Sequence, residues 1–291
     1  MSAFEEFLAE CRPAVEAALR EWVPGTEQAG DLGAAMRHIV GAGGKRFRPA
    51  LVLLACEHCG GDREAALPAA CAVELVHAYS LVHDDLPCMD DAQLRRGQPC
   101  VHVVWGEAMG VLAGDGLLTL AFELLARHTP ADRPLGAMIT ALAEAAGWQG
   151  MVGGQVADLA GEGAAPDLAR VAAIHAGKTA AMIGVSLRLG AQAAGAPAAT
   201  AATLAGLGHD LGLAFQIVDD LLDVDGTESD LGKPAGADAV HGKLTWPGAV
   251  GREAAARDAR ALVTGALERV PPGRCPEVFA ALDRVLLERL S

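Results

Sequence analysis

Two groups of aspartates have the type and spacing to do chemistry: Asp84, Asp85 and Asp90 in the first half of the chain, and Asp219, Asp220 and Asp223 in the second. In the second group Gln216, Asp219, Asp220 and Asp223 stand at i, i+3, i+4 and i+7, which is one face of a helix. The residues between and before them (Leu213, Ala214, Phe215, Ile217, Val218, Leu221 and Leu222) belong in a core. Three carboxylates on an otherwise apolar helix repel one another and lose hydration, a cost that bound cations offset. The bland alternative is a solvated acidic face, and the apolar flanks weigh against it. Hard divalent cations suit oxygen ligands, and Mg²⁺ takes one or two carboxylates and shares its shell with substrate phosphates.

The first group needs a local irregularity. His77 and Asp84, seven apart, share a helical face, but six residues separate Asp84 from Asp90 and set them about 120° apart on an ideal helix. They can act together only if the helix breaks between them, and Pro87 supplies the break because it lacks an N–H and clashes with the carbonyl of His83. The helix is therefore expected to end or distort at 86–89, with Asp90 returning to the side of Asp84. His77 and His83 read as hydrogen-bonding or structural histidines rather than ligands of a hard cation.

The elements that must position these groups read as helices. The chain has 291 residues, about half apolar, with 4% aromatics and many Ala, Leu and Gly, a composition that favours packed helices over a sheet. An amphipathic helix runs from Phe4 to Arg20, Pro24 and Gly25 end it, Asp31 can cap the next, and a helix from Leu51 to Cys59 stops at Gly60 and Gly61. Further helices are expected at about 68–86, 107–128, 134–160, 167–191, 199–224, 247–269 and 275–290. No strand alternation and no solenoid repeat is seen, so one all-α domain over 1–291 is the economical reading.

Charge and cysteines narrow the classes. A formal charge of −14 disfavours nucleic acid, and an anionic substrate would need local cations such as Lys45, Arg46 and Arg48 or Arg95 and Arg96. Seven scattered cysteines without a signal peptide suggest buried thiols in the cytoplasm, and Cys56 and Cys59 lack the partners of a zinc site. The longest uncharged stretch, 189–209, is too rich in Ala, Gly and Thr for a membrane span.

Gly44-Lys45-Arg46-Phe47-Arg48-Pro49, His77, Asp84-Asp85-x4-Asp90 and Leu94-Arg95-Arg96-Gly97 resemble, in that order, the trans-type polyprenyl diphosphate synthases. Gly153-Gly154-Gln155-x-x-Asp158, Lys178-Thr179, Phe215-Gln216-x-x-Asp219-Asp220-x-x-Asp223, Leu231-Gly232-Lys233 and Lys243-Leu244-Thr245-Trp246-Pro247 continue the likeness, which spans roughly 40–250 and is strongest to the bacterial short-chain farnesyl diphosphate synthases. Ala92, Gln93, Cys100 and Trp246 depart from the usual pattern.

The resemblance implies an antiparallel helical bundle around a central cavity, usually a homodimer, and an Mg²⁺-dependent condensation of isopentenyl diphosphate with an allylic diphosphate. It implies that Asp84 and Asp90 hold two Mg²⁺ and Asp219 a third, supported by Asp220 and Asp223. Lys45, Arg48, His77 and Arg96 would bind isopentenyl diphosphate, while Arg95, Lys178 and Lys233 would bind the allylic diphosphate. Thr179 and Gln216 would face the reacting carbons. Late in the chain, Arg289 could close over the site. No side-chain nucleophile is required, in keeping with the lack of a Ser/His/Asp or Cys/His set.

Bulk before the first aspartate group sets product length in such enzymes. Tyr79 lies about 7.5 Å down the helix from Asp84 but about 140° around it, whereas the small Ser80 is nearer the same ray. Farnesyl diphosphate is the expected product and geranylgeranyl diphosphate the nearest alternative. A terpene cyclase or squalene-type synthase would not need the Lys45, Arg48 and His77 site, and a non-catalytic partner subunit would be expected to lose one aspartate group.

Overall fold

The computed structural model describes residues 1–225 and 242–288. The expected helices form, and the differences in their ends have local causes. Helix α1 (Ala3–Trp22) starts with a capping box between Ser2 and Glu5. Helix α2 (Thr26–Gly41) kinks at Ala29 and Gly30, just ahead of Asp31, where Gly30 takes φ 54°. Helices α3 (Phe47–His58) and α4 (Arg63–Asp84) follow. Helix α4 starts five residues before the expected 68, because Asp62 caps it by accepting from the Glu64 N–H (3.0 Å) and Pro68 is accommodated inside.

After a two-residue antiparallel hairpin, β1 (Leu94–Arg95) with β2 (Gln98–Pro99), come α5 (Val101–Trp105), α6 (Glu107–His128), α7 (Leu135–Ala146) and α8 (Met151–Leu159). The expected helix at 134–160 is thus two helices, parted at 147–150, where Gly147 and Gly150 give the chain freedom to turn. Helix α9 (Leu168–His175) runs through a π-helical turn (Ala176–Ala180) into α10 (Ala181–Ala193), and α11 spans Ala198–Asp225. The chain resumes with α12 (Trp246–Val250), α13 (Arg252–Leu267), α14 (Pro276–Ala280) and α15 (Leu282–Leu287), α12 and α13 being parted by Gly251 at φ 83°.

The architecture is all-α. Helix α10 packs on α11 and α3, α3 on α4, α4 on α6, and α11 on α13. Small residues permit the closest approaches: a Cβ on Gly190 would lie 2.0 Å from the Val52 carbonyl of α3. One core joins α1–α4, α6, α7, α10, the start of α11, the end of α13, α14 and α15, and a second joins α9, the end of α11, α12 and the start of α13. Among the described residues three helices (α4, α6 and α11 over 198–223) are long and apolar enough to cross a membrane by length and composition, and the last takes in 198–209 of the uncharged stretch 189–209. Helix α4 directs most of that apolar surface into the core. All seven cysteines are free, but the expected burial holds only for Cys11, Cys56, Cys71 and Cys100, since Cys59 and Cys275 are half-buried and Cys88 is exposed; His58 is buried, and both its ring nitrogens meet backbone groups, the Pro271 carbonyl (2.8 Å) and the Cys275 N–H (3.3 Å).

Candidate active site

Helix α4 ends at Asp84, two residues before the expected break, because Pro87 also disfavours helical geometry at Leu86. The chain then doubles back: the Asp90 N–H donates to the Asp84 carbonyl (2.8 Å) and the Ala92 N–H to the Asp85 carbonyl (3.2 Å). Asp90 thereby returns to Asp84. The Asp84 carboxyl is pushed up to about 6, chiefly by burial, with Lys178 and Arg95 opposing the rise and Asp90 and Asp85 adding to it.

Asp85 behaves differently from its neighbour. It is buried and accepts from Arg95, Nε at 2.9 Å with Nη2 on the same oxygen. The Cys100 thiol also bonds Asp85, and burial followed by that bond pushes the thiol up to about 12. Asp85 therefore anchors Arg95 instead of joining Asp84 and Asp90.

The basic residues around the start of α3 also differ in their partners. Arg46, at φ 51°, is buried and gives its two terminal nitrogens to Glu74 (Nη1 to Oε1, 2.5 Å) and the Val40 carbonyl (2.6 Å), its Nε being buried without a partner. Lys45, Arg48, His77 and Arg96 line one cavity of about 430 Å³, and the Arg46–Glu74 pair forms part of its wall. Arg96 reaches it from the hairpin turn, where Arg96 (φ 54°) and Gly97 (φ 76°) both have the positive φ of a tight two-residue loop. Its guanidinium donates to the Gly43 carbonyl and lies over Gly44, where a Cβ would come within 2.8 Å of it.

This cavity is short of negative charge. Glu74 faces it but is held by Arg46. Burial depresses Arg48 and Arg96, Glu74 opposes this, and nearby arginines add to it. Burial and then Arg48, Arg96, Arg95 and Arg46 hold His77 well below its usual range, so its imidazole is neutral at pH 7. The Nε of Arg48 is buried without a hydrogen-bond partner. Crowded cations with an unspent donor form an anion site. Phe47, Ile183, Phe215, Val218, Val285 and Leu286 complete its wall with apolar surface.

The π-helical turn carries Lys178 and Thr179. Lys178 Nζ bonds Asp158 of α8 (2.6 Å), and Gly154 lets α8 approach this turn closely, since a Cβ there would lie 2.1 Å from the Lys178 backbone nitrogen. Thr179 Oγ1 donates to Gln216 Oε1 (2.8 Å), and Gln216 Nε2 donates to Asp220 Oδ1 (3.1 Å). Lys178 thus links the aspartate groups, its charge acting on Asp84 while its neighbour Thr179 is tied through Gln216 to Asp220. Asp219 is half-buried on α11, and Asp220 and Asp223 are buried. Lys233 and Arg289 lie outside the described residues.

A family model described as polyprenyl synthetase matches residues 30–281. The chain belongs to that family. It is 46% identical to farnesyl diphosphate synthase of Geobacillus stearothermophilus over 84% of this chain and 83% of the relative. It is 44% identical to geranylgeranyl pyrophosphate synthase 11 of Arabidopsis thaliana over 92% of this chain and 76% of the relative. Among solved structures, an apo FPP/GFPP synthase from Zymomonas mobilis superposes with a TM-score of 0.86 at 36% identity, covering 98% of both chains. A Helicobacter pylori geranyltransferase complexed with magnesium and isoprenyl diphosphate gives 0.82 at 32% identity, covering 100% of this chain and 98% of that one. The chain is a prenyl diphosphate synthase of the farnesyl or geranylgeranyl type.

Of the site residues of this polyprenyl synthetase read from sequence, Lys45, Arg48, His77 and Arg96 meet at one cavity, Asp84 and Asp90 are brought together, and Lys178, Thr179 and Gln216 join Asp220. Tyr79 and Ser80 do not line that cavity: Tyr79 is buried with its ring edge-on to His83 (5.8 Å), and Ser80 Oγ donates to the His77 carbonyl (2.9 Å). Sequence reasoning missed that Asp158 holds Lys178 and that Asp85 holds Arg95. The glycines beside Asp158 were the available signal for the first.

Proposed function

We propose that the chain condenses isopentenyl diphosphate head-to-tail with dimethylallyl or geranyl diphosphate and releases farnesyl diphosphate. The observation that carries the proposal is the separation of two charged regions: a cationic cavity at Lys45, Arg48, His77 and Arg96, and a carboxylate region at Asp84 and Asp90 tied through Lys178 to the second aspartate group. Two substrates with diphosphates need two such regions, and only one of them needs metal.

The carboxylate region suits Mg²⁺. Its donors are hard oxygens, and Asp84 is raised by burial and by its neighbouring carboxylates, as expected of a group awaiting a cation. Among the described residues no three His, Cys, Asp or Glu side chains are placed to hold an ion unaided, which suits a cation that completes its shell with phosphate oxygens. Asp84, Asp90, Asp219 and Asp223 would hold it, with three ions per site. Bound Mg²⁺ would supply charge neutralisation at the departing diphosphate.

The chain's own residues do the rest. Arg95, fixed by Asp85, and Lys178, fixed by Asp158, hold the allylic diphosphate together with Lys233 as its C1–O bond breaks. Thr179 and Gln216 present oxygens to the allylic cation. The alkene of isopentenyl diphosphate, its own diphosphate held by Lys45, Arg48, His77 and Arg96, attacks that carbon. A proton is lost from the new chain to the released diphosphate. The apolar wall from Phe47 to Leu286 keeps water from the cation.

A cytoplasmic homodimer without a membrane span belongs to the same reading; α6 leaves Val111 and Leu112 exposed, and α8 leaves Val152 and Val156, surfaces a second copy would cover. The test is incubation of the purified chain with Mg²⁺, isopentenyl diphosphate and allylic primers of increasing length, with chromatography of the dephosphorylated products. Farnesol supports the proposal, geranylgeraniol shifts it to the longer product, and no turnover without a second chain refutes it.

A further inference from the structure

We propose that His175 and the backbone of Trp246 are positioning groups that clamp Asp220, and through it orient the Gln216 amide and the Thr179 hydroxyl, an inference that rests on the function proposed above. Asp220 is 2% exposed. Beyond Gln216 on Oδ1, its Oδ2 receives the Trp246 N–H (2.8 Å) and His175 Nε2 (3.2 Å). A buried carboxylate requires this many donors, and so engaged it serves as a fixed acceptor.

The consequence reaches the reacting end. An amide can present either its oxygen or its nitrogen, and the Asp220 carboxylate accepts only the nitrogen of Gln216. The Gln216 oxygen is thereby turned to Thr179, whose proton it takes at 2.8 Å. If the clamp were released, the amide could turn over and Thr179 would lose its acceptor.

Three elements are pinned by the same residues. His175 is the last residue of α9 and directly precedes the π-helical turn that carries Lys178 and Thr179. Its ring stacks on that of Trp246 (5.8 Å, 22° between planes), and Trp246 Nε1 donates to Asp258 Oδ2 of α13 (2.9 Å). His175 Nδ1 is buried with no partner, so the contact to Asp220 is the imidazole's polar interaction. This gives a role to the segment 243–247, for which the sequence pattern offered none: it returns to α11 and caps Asp220 through a backbone N–H.

His175→Phe keeps a stacked ring and removes the N–H, while His175→Gln restores a side-chain donor. In steady-state kinetics His175→Phe should lower kcat by about 10- to 100-fold, the range for a lost hydrogen bond to a charged group. It should raise KM for the allylic substrate and leave KM for isopentenyl diphosphate unchanged, because the four residues of that cavity are held by other elements; His175→Gln should recover most of the loss. Equal rises in both KM values, or no rescue by Gln, would mean a merely structural histidine and overturn the proposal.

An unfolding cycle with Asp220→Asn tests the clamp without turnover. His175→Phe should shift the unfolding equilibrium of the wild-type background by about tenfold or more and that of Asp220→Asn by less than about threefold. Additive effects overturn the clamp even if the enzyme is active, whereas an inactive wild type with a coupled cycle overturns the assigned reaction and leaves the clamp standing. Should His175→Phe fail to fold, His175→Met, which keeps apolar bulk but likewise places no N–H on Asp220, takes its place in both measurements.

Discussion

Asp84→Asn should stabilise the metal-free protein while destroying its activity. The carboxyl stands at about 6 in the fold against an ordinary 3.8, a rise of about two units and so about 3 kcal/mol. Allowing for the solvent that still reaches Asp84, about 2–3 kcal/mol is expected. The sign follows from linkage: a carboxyl whose folded pKa is raised favours the fold fully below 3.8 and loses that contribution as pH rises through about 6. At pH 7.5 the wild type therefore carries an ionised, poorly solvated Asp84 that the variant lacks, whereas near pH 3.5 the two should be equally stable. At about 2–4 °C per kcal/mol for a chain of this size, Asn should raise Tm by about 5–10 °C at pH 7.5. The assay is thermal unfolding in EDTA from pH 3.5 to 8, reading the difference between the two proteins so that other titrating groups cancel. Adding Mg²⁺ with diphosphate should raise the wild type far more than the variant. A difference that does not change between pH 4 and 7.5, or one that favours the wild type, would refute the account of Asp84 as strained by burial and by its neighbours.

Glu74→Gln should cost about 3–5 kcal/mol in urea unfolding, because it leaves the Arg46 charge buried without its partner, and Arg46→Met made together with Glu74→Leu should recover most of that loss. Gly154→Ala should lower kcat by about 100-fold with a higher KM for the allylic substrate, since its Cβ would stand 2.1 Å from the Lys178 backbone nitrogen and push α8 off the π-helical turn; unchanged kinetics would show that the close approach of α8 to this turn is not needed. Tyr79→Ala should lengthen the product beyond C15 when the dephosphorylated products are chromatographed, and an unchanged C15 product would remove Tyr79 as the floor.

What could be read from the sequence was whatever a period or a proline dictates. The stripe from Gln216 to Asp223 follows from helical spacing alone, and Pro87 was enough to predict that Asp90 returns to Asp84. What could not be read depends on partners distant in sequence or on backbone departures without a residue signature. Asp84 and Asp85 are the same residue type one position apart, yet about 100° of helix rotation sends one toward Asp90 and Lys178 and the other toward Arg95 and Cys100. The π-helical turn at Ala176–Ala180 has no composition to announce it, and the splits at 147–150 and Gly251 look in sequence like glycines tolerated inside longer helices. Arg46 and Arg48 read as equals in a basic cluster; only the fold, by placing Glu74 beside Arg46, gives one of them an ion-pair partner in the cavity wall.

The adjacent Arg95 and Arg96 show how one local device sends neighbouring cations to the two charged regions proposed above to take the two substrates. In an extended strand, neighbouring side chains point to opposite faces, and here the hairpin turn falls directly after Arg95, with Arg96 at positive φ. Arg95 goes to the buried Asp85 at the aspartate side, and Arg96 goes to the Gly43 carbonyl and the cationic cavity. Each arginine is fixed by a different element before any substrate arrives, which lowers the reorganisation needed when charge develops on the leaving diphosphate. The aspartates draw attention first because carboxylates suit a metal, but it is this two-residue turn that sends a single pair of arginines to the two regions proposed above for the two diphosphates, in a chain of net negative charge.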